Sequence, residues 1–126
     1  MNIELASPDD LAAVMNVFDG ADLQVSATEV AEHIDSEEVL VARSDRGTVI
    51  GGLVGRPRER DVRIEPIAVR PGRRGQGIGT ELVRAAGGRW GRLTATFDAE
   101  LTSFYRQAGF EVEGAERRVG YRPPPK

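Results

Sequence analysis

The sequence predicts an α/β (α+β) fold with the element order β-α-α-β-β-β-α-β-α-β-β. Three observations predict it. Short apolar runs that alternate in and out are interleaved with segments whose apolar residues recur at helical spacing. Asp45-Arg46-Gly47 sits between two strand-like segments as a hairpin turn. The run Val62-Arg63-Ile64-Glu65-Pro66-Ile67-Ala68-Val69-Arg70-Pro71 leads through alternating glycines at Gly75, Gly77 and Gly79 into a helix. At 126 residues the chain is expected to be one domain, 1–126, with an extended and frayed tail from Arg122 to Lys126. No internal repeat is present.

Taken in order, Ile3 to Leu5 reads as a short first strand. Ser7-Pro8-Asp9-Asp10 starts a helix, with Ser7 as N-cap, proline in the first turn and an acid three residues on. Leu11, Val14, Met15 and Phe18 give that helix its apolar face, and Asp19-Gly20-Ala21-Asp22 breaks it. Thr28 to Ile34 forms a second helix, capped by Ser26 or Thr28. Val39 to Arg43 and Thr48 to Gly55 are the two arms of the hairpin. Arg56 to Asp61 is a polar connection, and Arg63 to Val69 is the central strand. Pro66 has no N–H, so within a strand it marks a bulge or splay, or an irregular edge. The helix after the glycine loop runs to about Ala86, where Gly87-Gly88 ends it. Arg92 to Phe97 is a strand. Asp98 or Ala99 to Ala108 is a helix stopped by Gly109. Phe110 to Glu113 and Arg117 to Tyr121 close the fold as a pair.

Composition removes several function classes. Hydrophobic residues at 40% with 29% charged are what a soluble globular chain shows. There is no cysteine, so disulfides and a covalent acyl-cysteine are excluded. With a lone histidine as well, no metal-ligand cluster is expected. A net charge of −3 argues against bulk nucleic-acid binding. The start, Met1-Asn2-Ile3-Glu4, lacks the basic and apolar regions of a signal peptide, and no apolar run has membrane-spanning length. A cytoplasmic location and no membrane partner are the expectation. Arginines crowd the middle of the chain, at Arg56, Arg58, Arg60, Arg63, Arg70, Arg73 and Arg74. A solvated surface accounts for the first of them, and an anion partner better suits Arg73 and Arg74 beside the glycines.

The loop Arg73-Arg74-Gly75-Gln76-Gly77-Ile78-Gly79-Thr80 carries the strongest functional signal. Glycine lets the main chain approach a ligand closely. A helix N-terminus adds unpaired N–H groups and the positive end of its dipole, a combination that binds phosphate. The dinucleotide fingerprint needs Gly-x-Gly-x-x-Gly, but the spacing here is Gly-x-Gly-x-Gly. A P-loop needs Gly-Lys-Ser/Thr, and the only lysine is Lys126. The pattern that fits is Arg/Gln-x-x-Gly-x-Gly/Ala, read as Arg74 to Gly79. It resembles the acetyl-CoA pyrophosphate loop of the GNAT superfamily of N-acetyltransferases. Phe104-Tyr105-Arg106-Gln107-Ala108-Gly109-Phe110 resembles the Tyr-x-x-x-Gly-Phe segment near the end of those domains. Asp98 stands where many members have an asparagine, and Glu65 where many have a glutamate. The three segments span most of residues 62 to 110.

This resemblance implies a mixed sheet that splays between its fourth and fifth strands, with acetyl-CoA entering the splay. It implies that amides of Gln76, Gly77, Ile78, Gly79 and Thr80 hold the pyrophosphate, beside Gly75. Arg74 orders the loop or touches phosphate, with Arg73 a lesser candidate. Main-chain groups of Ile67, Ala68 and Val69 lie along the pantetheine arm, and the Ile67 N–H can polarise the acetyl carbonyl.

Tyr105 is the candidate acid, because a phenol of pKa about 10 can protonate a thiolate of pKa about 8.5 while staying neutral itself. The competing reading is a core aromatic packed with Phe104 and Phe110. Glu65 is the candidate base, expected to share a face with Arg63, Ile67 and Val69, or else a structural partner of Arg63. His33 and the acids Glu29, Glu32, Glu37 and Glu38 surround the expected acceptor end. They form a rim that attracts a cationic amine, or an ordinary solvated helix. The implied activity is direct transfer of acetyl from acetyl-CoA to a primary amine of a small molecule or peptide. The alternative is a catalytically weak acyl-CoA-binding sensor or interaction domain. Family members often form homodimers, so a homodimer is a further expectation.

Overall fold

The computed structural model describes residues 1–21, 23–114 and 117–125. Seven strands, β1 (Asn2–Leu5), β2 (Val39–Arg43), β3 (Val49–Pro57), β4 (Val62–Val69), β5 (Leu93–Asp98), β6 (Glu111–Gly114) and β7 (Arg117–Arg122), form one sheet in the order β1-β2-β3-β4-β5-β7-β6. Among the described residues four helices flank it: α1 (Leu11–Gly20), α2 (Ala27–Asp35), α3 (Ile78–Trp90) and α4 (Thr102–Gln107). All neighbouring strands are antiparallel except β4 and β5. The expected element order and mixed sheet are therefore present.

Two cores hold the layers. Phe18, Val14 and Val17 of α1 and Val30 and Ile34 of α2 pack on Val41, Val54 and Ala68 from one side. Leu82, Val83 and Ala86 of α3, Tyr105 of α4 and Ala108 just after it pack on Leu53, Ile64 and Leu93 from the other. Burying such side chains stabilises by roughly 1.5–3 kcal/mol each, so helix and sheet faces are fixed by many of these contacts at once.

Local chemistry explains most boundaries. Ser26, not Thr28, caps α2, its Oγ accepting from the Glu29 N–H at 3.2 Å. The first helix starts with a 3-10 turn, Pro8–Asp10, before α1 proper. There the Asp10 carboxylate accepts from the Ser7 N–H at 2.8 Å and from Arg43 at 2.6 Å. The expected break at Asp19 to Asp22 falls at the end of α1, with Asp22 outside the described residues, as is Lys126 in the tail.

Two boundaries are corrected, the first being that Arg56 and Pro57, expected in the polar connection, extend β3. Gly87-Gly88 does not end α3, which continues to Trp90 and stops at Gly91, whose φ is +83°. Packing overrides propensity here. A Cβ at Gly87 would lie 2.1 Å from the Arg122 guanidinium, and one at Gly55 would lie 2.6 Å from the Trp90 ring. Each glycine makes room for a large neighbour, which holds the last turn of α3 against β3 and β7.

The sheet opens at β4. Its parallel ladder with β5 contains only Val62–Leu93 and Arg63–Thr94, while β5 continues along β7 to Asp98. On its other edge β4 carries a bulge, since Leu53 opposes Ile67 but Gly55 opposes Ile64. The extra residue lies at Glu65–Pro66, a cis peptide bond. Proline thus marks both the bulge and the splay.

Candidate active site

The bulge sets which groups face the opening. Val62 and Ile64 face the core under α3 and α4, and so do Ile67 and Val69, whereas Ala68 faces the α1/α2 side. Strict alternation would put Ile64 and Ile67 on opposite faces. The extra residue reverses the parity. Glu65 therefore does not share a face with Ile67 and Val69, as the unbroken strand pattern predicts. It stays with Arg63, on the side of α2, and Arg63 Nη2 donates to its carboxylate at 2.5 Å.

Main-chain groups of β4 reach the gap by the same logic. The Arg70 N–H donates to the Ile50 carbonyl at 2.9 Å. Bonding to a neighbour alternates along an antiparallel ladder, so Ala68 is directed at β3 while Ile67 and Val69 are directed at the gap. Arg74 Nε closes the base of the loop by donating to the Val69 carbonyl at 3.2 Å. Arg70 Nε similarly ties the loop to the Val49 carbonyl at 2.8 Å.

Beyond β4 a 3-10 turn, Pro71–Arg73, leads to the glycine loop. Gly75 and Gly77 have φ of +79° and +80°, a region that disfavours side chains, and Gly77 is the N-cap of α3. The first N–H groups of a helix have no acceptor within it. Here they belong to Ile78, Gly79 and Thr80. Gly79 has a different use: a Cβ there would sit 2.9 Å from the Phe104 ring, so its absence lets α4 close over the start of α3.

These parts enclose a cavity of about 510 Å³ between β4, the loop and α4. Ile67, Ala68, Val69, Arg73, Arg74, Gly75, Gly77, Ile78, Gly79, Thr80 and Tyr105 all line it. Gln76 does not. It borders a cleft of about 790 Å³ on the other side of the loop, with Ser44, Arg46 and Arg70.

Tyr105 is buried in an aromatic cluster. Its ring stacks on Phe97 at 3.9 Å between centroids and meets Phe104 and Phe110 edge-on at 5.0 and 5.2 Å. It also lies where two cavities meet. A second cavity, of about 540 Å³, lies on the α2 side of the opening and meets the first at Ile67, Leu101 and Tyr105. Leu23 and Val25 from the segment between α1 and α2, Glu29 from α2, Arg56 from β3, and Phe97 and Asp98 from β5 line it, as does Glu65. Tyr121, the chain's other tyrosine, is on β7 and outside both cavities.

Sequence reading missed Leu101 and Phe104 as slot residues, and Leu23, Val25 and Arg56 on the far side. Phe104 alone left a signal, by adjoining Tyr105. The others come from separate elements with no shared spacing. Arg56 has a specific task in the fold. Its Nε donates to the Glu65 carbonyl at 2.8 Å and its Nη1 pairs with Glu29, so it clamps the bulge to α2.

A strand that parts from its parallel neighbour, a glycine loop at a helix start and a slot between them define an acyl-CoA-type transferase fold. The family model described as "Acetyltransferase (GNAT) domain" matches residues 35–112. The chain belongs to the GNAT acetyltransferase family.

Solved structures agree on the fold. Ard1 from Thermoplasma volcanium superposes with a TM-score of 0.85 at 18% identity, covering 99% of this chain and 98% of that one. The PaiA N-acetyltransferase of Thermoplasma acidophilum, solved with coenzyme A, gives 0.81 at 17%, covering 97% and 98%. A phosphinothricin acetyltransferase from Sinorhizobium meliloti, solved with AcCoA, gives 0.81 at 20%, covering 98% and 88%. None of the curated proteins compared with the chain matches it. No helix among the described residues is long and apolar enough to cross a membrane.

Proposed function

We propose that this chain transfers acetyl from acetyl-CoA to a primary amine by direct attack, with donor and acceptor bound together. The observation that carries this reading is the pair of cavities that meet at Ile67, Leu101 and Tyr105, one floored by the glycine loop and the other open toward α2. Acetyl-CoA supplies an activated thioester. The amides from Gln76 to Thr80 hold its pyrophosphate, with Arg74 keeping the loop in shape and Arg73 adding positive charge. Main-chain groups of Ile67 and Val69 align the pantetheine arm, and the Ile67 N–H polarises the acetyl carbonyl. Holding both reactants in register can supply roughly 7–11 kcal/mol of the barrier in ideal cases. Tyr105 gives its phenolic proton to the departing sulfur. Glu65 lines the acceptor cavity, and its pair with Arg63 suits it to holding an ammonium more than to removing a proton.

The test is turnover of acetyl-CoA with a panel of small amines and peptide N-termini. Tyr105→Phe should lower kcat by roughly 10²–10⁴ while acetyl-CoA affinity, measured by calorimetry, stays the same. Tight binding of acetyl-CoA with no amine acetylated, and no effect of Tyr105→Phe on any observable, would make the protein an acyl-CoA sensor instead.

A further inference from the structure

The acceptor cavity holds a carboxylate without a part in the steps above. Glu29 of α2 lines it, and His33 stands behind Glu29, one helical turn on. His33 is the chain's only histidine. Its Nδ1 lies 2.8 Å from Glu38 Oε1. A carboxylate only accepts, so in the neutral ring Nδ1 carries the hydrogen and Nε2 keeps its lone pair. Nε2 lies 3.9 Å from Glu29 Oε1. One water or a small side-chain rotation closes that gap. Glu29, His33 and Glu38 thus form a chain of groups leading away from the cavity, with His33 18% and Glu38 21% exposed at its far end.

We infer that Glu29 and His33 take the proton from the acceptor's ammonium group, Glu29 touching the acceptor and His33 receiving the proton. This rests on the acetyl-transfer reading and specifies its acceptor as an alkylamine that arrives protonated. The N–H bond of the ammonium breaks and its electron pair stays on nitrogen, which becomes the nucleophile. The proton passes to the Glu29 carboxylate and on to His33 Nε2, while Nδ1–H stays on Glu38. The positive charge moves from substrate to an imidazolium flanked by two carboxylates, and leaves to solvent through the exposed edge of His33.

Glu65 and Glu29 are each paired with an arginine, Arg63 and Arg56, so what sets Glu29 apart is the imidazole behind it. The charged groups around His33 are Glu29 on its own helix, Glu38 from the turn before β2, and Arg56 of β3 behind Glu29. Imidazole is the side chain that ordinarily changes charge between pH 5 and 8.

The experiment is the pH profile of kcat, using acetyl-CoA and an alkylamine that the unmodified protein acetylates. His33→Gln should lower kcat at pH 7 by roughly 10²-fold. The loss should shrink below about threefold near pH 10, where much of an alkylamine is already neutral. Glu29→Gln should behave alike. Acetyl-CoA affinity should be unchanged in both. A His33→Gln profile parallel to the original, a loss under threefold at pH 7, or a matching loss of acetyl-CoA affinity overturns the inference. Failure of the unmodified protein to acetylate any amine overturns the acetyl-transfer reading itself, and this inference with it.

Discussion

The two cavities that meet at Tyr105 are built from different materials. The loop side consists largely of main chain: glycines at φ near +80°, the first amides of α3 and the exposed edge of β4. The α2 side consists of side chains from the α1–α2 segment, α2, β3, β4 and β5, with charges held in pairs such as Arg56–Glu29 and Arg63–Glu65. Main-chain recognition tolerates almost any sequence outside the glycines. Side-chain recognition can be rewritten one residue at a time. Under the proposed function, that division would let the donor site persist while the acceptor site changes.

Substitutions can break the comparison at three depths. Gly77→Val should have the largest effect. A side chain there meets no protein atom within 4 Å and so enters the slot, while φ of +80° adds strain of about 1–3 kcal/mol. Acetyl-CoA affinity should fall by roughly 100-fold, read by calorimetry, with the circular dichroism of the fold retained. An unchanged affinity would mean that the loop is not the donor site.

Gly79→Ala should act less on binding and more on stability. Its Cβ must displace the Phe104 ring, an overpacking cost of about 1–3 kcal/mol, seen as a lower Tm. If Tm holds, α4 is not braced against α3 as described.

Asp10→Asn probes a region outside both cavities, and its effect should be the smallest on function. The Arg43 hydrogen bond, helped by the Ser7 N–H and opposed by burial, holds the Asp10 carboxyl below its ordinary value of 3.8. A lowered folded pKa stabilises above the unfolded value and is lost as pH falls through the folded one. The variant should lose about 1–3 kcal/mol at neutral pH. The two denaturation curves should converge below about pH 4, with acetyl-CoA affinity equal throughout. A gap that persists in acid would mean that the Asp10–Arg43 pair is not its source.

The sequence by itself determined the element order, the glycine loop and the slot residues Ile67 to Val69 and, Gln76 excepted, Arg73 to Thr80. These are local properties. Strand periodicity, left-handed glycines and a helix start each depend on neighbours a few residues away. Pro66 even marked the bulge, because a residue without an N–H cannot sit in a regular ladder. Tertiary structure decided the rest. Gly87 lies inside α3 with Arg122, far away in sequence, packed over it, while Trp90 at the end of the helix fits against Gly55 of β3. Glu65 parts from Ile67 and Val69 because one extra residue in β4 reverses the alternation beyond it, a parity that no strand pattern shows in advance. Leu23, Glu29, Arg56 and Tyr105 meet only because the sheet opens after Arg63 and Thr94. Spacing along the chain carries no trace of such a meeting. It is fixed by packing between elements that are distant in sequence.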